Sequence, residues 1–184
     1  MNQFRIVSLS LVIAVAASAA HAQQPPEMPG PEEEHAWLQQ LVGEWDTEGE
    51  VTMGPDQPPV KCKGTATTRS LGGFWVISES GMTMMEFPMK GVMTLGYDPQ
   101  SEKYVGTWID SVSSHMWKYE GTVDEDQKTL TLLTEGPSPM APTETANYRE
   151  VFEIKDKDHK IFTSSIEMDG QWHTFVTIRY HRKK

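Results

Sequence analysis

The stretch Gly91-Val92-Met93-Thr94-Leu95-Gly96-Tyr97-Asp98-Pro99-Gln100-Ser101-Glu102-Lys103-Tyr104-Val105-Gly106-Thr107-Trp108-Ile109-Asp110 reads as strand, turn, strand. Two alternating runs flank Tyr97-Asp98-Pro99, a combination that punctuates sheets. In 103–110, Tyr104 and Trp108 point to one face while Val105 and Ile109 point to the other, so both faces carry large apolar groups. A sheet of that kind is best served by closing on itself, which buries one face and removes the exposed edges.

The same pattern continues in both directions. Candidate strands fall at 44–53, 60–69, 74–80, 90–97, 103–110, 115–123, 128–134, 147–155, 160–168 and 171–182. Gly54-Pro55-Asp56, Gly72-Gly73, Asp124-Glu125-Asp126, Asp156-Lys157-Asp158 and Asp169-Gly170 separate them. Asp169-Gly170 is the strongest hairpin signal, because Asp and Gly accept the positive φ angles of a type I′ turn. Pro137, Pro139 and Pro142 make 135–146 the one long irregular loop. In the last strand Trp172, Thr174, Val176, Ile178 and Tyr180 read as one unbroken inner face. Strands in such number with no helices between them predict an all-β fold, a single antiparallel up-and-down barrel of about ten strands, wide enough inside for a ligand.

Ahead of the strands, Glu32-Glu33-Glu34 suits the first turn of a helix, where the backbone dipole favours negative charge. Trp37, Leu38, Leu41 and Val42 share a helical face and Gly43 ends it, giving one short helix at about 33–42. Residues 1–22 read as an export signal. One basic residue, Arg5, precedes the apolar run 6–17, and Ala20-His21-Ala22 supplies the small-x-small cleavage pattern. That run is too short to span a bilayer, which takes about 20 apolar residues. The expected mature protein starts at Gln23, is periplasmic or secreted, and has no membrane span after cleavage. Residues 23–32 form a Pro-rich linker and 33–184 the barrel domain.

The 184 residues carry 26 acidic and 16 basic side chains, a formal net charge of −10, which argues against a nucleic-acid partner. With a single cysteine, Cys62, no disulfide can form within the chain. The alternating Val60-Lys61-Cys62-Lys63 reads as a strand with a buried thiol, with a reactive thiol or a copper ligand as the alternatives.

Leu41-Val42-Gly43-Glu44-Trp45, Leu71-Gly72-Gly73-Phe74-Trp75, the 91–98 and 104–111 segments, Lys128-Thr129-Leu130-Thr131-Leu132 and the closing Tyr180-His181-Arg182-Lys183 carry a family likeness. Over about 35–183 the chain resembles the bacterial family catalogued as domain of unknown function 1579. The resemblance implies a lipocalin-like (calycin) barrel and brings no established reaction. It further implies that Trp45, reached through Gly43, plugs one end of the barrel, with Arg182 or Arg179 packed across its ring. More distantly the chain resembles nitrobindin-type haem barrels, which open Gly-x-Trp-x-Gly-x-Gly. Thr47 stands where the middle Gly would be, so no cofactor is expected and haem is the alternative.

No G-x-S-x-G, H-E-x-x-H, C-x-x-C or phosphate-cradling Gly-rich loop occurs. The acidic clusters fall in turns and no metal site is expected. Met82-Thr83-Met84-Met85-Glu86-Phe87-Pro88-Met89 is compositionally unusual: thioethers fill gaps at the rim of an apolar pocket, suit Cu(I), or sit in an exposed loop. The expected partner is a small hydrophobic or amphipathic molecule inside the barrel. Trp75, Tyr104, Trp108, Trp117, Phe152 and Trp172 are expected to line it, and Asp110, His115 and Arg149 are the candidate polar anchors. A barrel with a filled interior, or one using His115 or His173 for haem or metal chemistry, are the alternatives.

Overall fold

Alternating apolar residues make the strands, and short turns join each to the next. The computed structural model describes residues 30–54, 57–139, 141 and 143–184. The expected export signal at 1–22, most of the expected Pro-rich linker, Pro55, Asp56, Met140 and Pro142 lie outside them. Within the compact unit Pro31–Lys184, α1 (Glu33–Leu38) and a 3-10 turn (Gln39–Leu41) precede ten strands. These are β1 (Gly43–Val51), β2 (Val60–Leu71), β3 (Trp75–Met84), β4 (Phe87–Asp98), β5 (Lys103–Asp110), β6 (Trp117–Val123), β7 (Thr129–Pro137), β8 (Thr145–Asp156), β9 (His159–Met168) and β10 (Gln171–Arg182). Each pairs antiparallel with its sequence neighbours, and β1 pairs with β10, so the barrel is closed.

The expected architecture is present, and two local readings change. The Met-rich stretch is not a loop: β3 runs to Met84 and β4 starts at Phe87, with Met85 and Glu86 alone turning the chain at φ 46° and 71°. Positive φ at two non-glycine residues gives no sequence signal, which is why this hairpin was illegible. Asp169 and Gly170, at φ 52° and 72°, form the expected turn. The second change is in β10. A register shift between Thr174 and Val176 inserts Phe175 as an extra residue. A bulge of this kind reverses the in-and-out alternation, so Val176, Ile178 and Tyr180 face inward while Trp172 and Thr174 face outward.

The hairpins alternate between two ends. At the end where β1 starts, the helix folds across the opening. Trp37 and Leu38 are buried there with Val76, Leu95, Tyr104, Leu130 and Leu132. Trp37 Nε1 donates to Gln127 O at 3.0 Å, and Tyr104 OH donates to Glu34 O at 2.9 Å. His35, buried at the helix start, accepts from Glu32 N at 2.9 Å and sits edge-on to Phe74 and Tyr97.

Trp45 holds this closed end together. Its ring is 1% exposed and its Nε1 donates to Leu41 O at 3.0 Å. The Arg182 guanidinium lies 4.1 Å from the ring centroid and the Lys160 ammonium 3.8 Å. Arg182 also donates to Val42 O (2.7 Å) and Lys157 O (2.8 Å), and Lys160 to Leu41 O (3.1 Å). The last carbonyls of a short helical segment, which have no partner within it, are thus taken by an indole and two cations. Of the two arginines considered, Arg182 is the one over Trp45. Gly43 is required at its position: φ is +140° and a Cβ would lie 2.1 Å from Arg182 Nη1.

Replacing Arg182 with Met keeps the aliphatic length but leaves those carbonyls and the Trp45 face without their cation. The expected cost is about 2–4 kcal/mol, read as a fall of roughly 5–15 °C in Tm. Arg182→Lys should recover only part of it, since an ammonium lacks the guanidinium fork. A Tm within 2 °C of the unaltered chain for Arg182→Met would show that the closure does not depend on this residue.

Candidate functional site

Beyond the helix and the packed layer above it, the barrel is not filled. A cavity of about 520 Å³ opens at the end opposite the helix. Leu41, Lys160 and Tyr180 form its floor, and Val76, Met93, Leu95, Phe152, Phe162 and Ile178 contribute to the wall. Near the mouth stand Met82, Met84 and Met89, with Met82 and Met89 directly opposite each other across the β3–β4 ladder. Around the opening Met85, Phe87 and Val112 are exposed.

Inward phase brings some of the expected residues here and leaves others out. Trp108, Asp110, Trp117 and Phe152 line the cavity. Trp108 packs over Gly91, where a Cβ would meet its ring at 2.0 Å, so this glycine makes the space the indole occupies. Tyr104 is also inside, but in the packed layer against Trp37 and Tyr97, and it does not border the open space. His115 precedes β6 and packs edge-on against Trp117 at 4.8 Å without lining the cavity, and His173 is exposed.

Three assignments are corrected by position. Trp75 lies on the outer surface, stacked over Gly96. Trp172 is outside because the bulge at Phe175 reverses its phase, and Phe175 takes the inward place. Arg149 is outside as well, its guanidinium 4.7 Å from the Trp172 ring centroid. It cannot therefore partner Asp110. Asp110 instead accepts from Trp108 Nε1 (3.0 Å), Val112 N (2.9 Å) and Ser113 N (2.8 Å), holding the end of β5 as it turns into the mouth loop.

The buried carboxyl and the buried amine of the cavity, Glu150 and Lys160, were missed. Glu150 is 5% exposed; Ser164 Oγ donates to its Oε1 at 2.8 Å, and no protein group among the described residues pairs with Oε2. Burial raises its carboxyl to about 8, against the opposing pull of the Ser164 hydrogen bond. Lys160, 3% exposed, is lowered to about 7 by burial and by the nearby Arg182 charge. Burial, reinforced by the Glu150 and Asp110 charges, also raises the Tyr119 phenol. The signal for Glu150 was its phase: in Tyr148-Arg149-Glu150-Val151-Phe152 it shares a face with Tyr148 and Phe152, and Lys160 likewise shares one with Phe162. Cys62 is free and buried, and burial followed by the Glu50 charge pushes its thiol up, away from the reactive thiolate. Among the described residues no group of three or more His, Cys, Asp or Glu side chains could hold a metal ion.

The raised Glu150 carboxyl has a definite pH signature. Between the ordinary carboxyl value of 4.5 and about 8, the folded chain keeps a proton that the unfolded chain has lost. Stability contributed by that proton is full below 4.5 and lost as pH rises through 8. Glu150→Gln removes the dependence, so its Tm advantage over the unaltered chain should grow from pH 5 to pH 9. The change corresponds to roughly 4–5 kcal/mol as an upper bound. A Tm difference that stays constant across this range would show that Glu150 is not buried as described.

With the geometry established, comparison adds the following. No curated protein matches the chain in sequence. The fold is similar to that of Rv2717c from M. tuberculosis, with TM-score 0.58, 13% identity, and coverage of 84% of this chain and 99% of that one. It is also similar to the S-type phycobiliprotein lyase CPES from Guillardia theta, with TM-score 0.54, 13% identity, and coverage of 83% and 94%. At that identity the likeness concerns the barrel alone. Residues 30–182 match the family described as "Protein of unknown function (DUF1579)", and the chain belongs to it.

Proposed function

We propose that this chain is an exported binding protein whose barrel holds a small, mainly apolar molecule. The observation that carries the reading is the cavity itself: one end sealed by the helix and Trp45, the other open, with an apolar wall interrupted by few polar groups. Protein interiors are ordinarily packed without such voids, and a large apolar pocket with a few convergent polar groups is the form that small-molecule sites take. Export is supported by residues 1–22, whose basic start, apolar run and Ala20-His21-Ala22 ending fit a cleaved signal. No helix among the described residues is long and apolar enough to cross a membrane.

N-phenyl-1-naphthylamine, an uncharged apolar dye, should brighten on binding the purified protein and raise its Tm. Ser80 points into the cavity from β3. Ser80→Trp should fill the space and abolish the dye signal while the far-ultraviolet circular dichroism stays that of a β-barrel. Undiminished dye binding in a folded Ser80→Trp protein would place the dye elsewhere and count against the reading. Export has its own test in the intact mass of protein recovered from a bacterial periplasm. A chain beginning at Gln23 is expected, and retention of Met1 in that fraction would refute cleavage.

A further inference from the structure

We infer that the cavity selects ligands carrying a protonated amine, and that the Glu150 carboxyl, steadied by Ser164, is the seat of the ammonium group. The inference rests on the binding reading above and names the chemistry of its ligand.

Glu150 brings a fully buried, unpaired polar atom to the wall of the cavity. Its Oε1 has one donor, Ser164 Oγ, and its Oε2 is buried without a protein partner among the described residues. Buried polar atoms in folded proteins are paired, and a buried carboxylate oxygen calls for a donor, above all a charged one. The other cavity carboxylate, Asp110, is already held by three donors and has no such need.

The surroundings choose between head groups. The carboxyl and amino groups lining the cavity are those of Asp110, Glu150 and Lys160, beside the phenols of Tyr119, Tyr148 and Tyr180. Along β8 and β9, Glu150 is opposite Ser164 and Ile154 is opposite Lys160. The two charged positions are therefore four residues apart, about 13 Å along the strands. Lys160 is occupied at the floor by Leu41 O and the faces of Trp45 and Tyr180. Neither it nor any other cation among the described residues pairs with Glu150. Aromatic rings surround the carboxyl instead. Tyr148 and Phe152 flank it on β8, the Tyr119 phenol is close enough to feel its charge, and Trp117 stands edge-on to Tyr148 at 4.8 Å. A carboxylate among aromatic rings attracts an ammonium by charge and by ring quadrupole together. An alcohol gains a hydrogen bond only, and a fatty carboxylate meets the Asp110 carboxylate and a Glu150 carboxyl whose ionised form only a cation would stabilise.

The test displaces N-phenyl-1-naphthylamine from the full mature protein with decylamine, decanol and decanoic acid, three compounds of one chain length. Decylamine should compete about tenfold or more better than decanol, with decanoic acid weakest. In Glu150→Gln, read against that variant's own affinity for the dye, decylamine should fall to the level of decanol. The ranking is measured first on the unaltered chain, so it does not depend on any variant folding. Dye binding with equal competition by amine and alcohol overturns the inference and leaves the binding reading intact. Decanoic acid competing best, with the advantage lost in Lys160→Met, also overturns it, by placing the head group at the floor. Failure of the dye and all three decyl compounds to bind overturns both readings.

Discussion

The carbonyl of Leu41 is the point on which the closed end depends. It accepts from the Trp45 indole and the Lys160 ammonium at once, while Arg182 donates to Val42 O at 2.7 Å and to Gln40 O at 3.5 Å. Those donors come from β1, β9 and β10, and Arg182 also reaches Lys157 O in the turn between β8 and β9. A segment of nine helical residues is too short to be stable alone. Fixed by these contacts, it becomes a lid that seals one end of a ten-stranded tube. The interior then divides into a layer packed against the helix and an open region beyond it, and the cavity exists because the helix and its layer fill only one end.

How much of this the sequence disclosed follows from which property each level of structure uses. Alternation and turn chemistry are local, and they were enough for the barrel, most strand positions and the Asp169-Gly170 hairpin. The Gly43-x-Trp45 plug with Arg182 was legible through family likeness, while Lys160 on the same ring was not, because its partner Leu41 lies 119 residues away. Trp172 shows the limit of alternation: a single inserted residue, Phe175, reverses the face of everything before it, and nothing in Thr174-Phe175-Val176 marks the insertion. Trp75 and Arg149 failed for another reason. An aromatic ring or a guanidinium stem can cover a barrel's outer surface, and size alone does not tell inside from outside.

Glu150 is the more instructive omission. Its phase with Tyr148 and Phe152 puts it inside, yet the residues expected as polar anchors are Asp110, His115 and Arg149. The structure reverses that expectation. Asp110 is well partnered because it caps the end of a strand, and a group so occupied has little left to offer a ligand. Glu150 has a single donor because nothing in the fold requires its charge: Leu132, its neighbour on β7, is a fully buried apolar residue, and Ser164 on β9 gives one hydroxyl.

A buried carboxyl and a buried amine inside one cavity would ordinarily be expected to meet, since pairing lessens the desolvation penalty of both. Here each is held in place by its strand position, and the pair stays apart. Lys160 spends its hydrogen bond and its charge on the closure, where Leu41 O and two aromatic faces compensate its burial. Glu150 receives no such compensation from the protein, and its carboxyl shifts towards the neutral form in consequence. The fold thus satisfies the base with its own groups and leaves the acid open to the cavity. A cost retained at one end and removed at the other is what distinguishes a residue that holds the barrel together from one available to what the barrel contains.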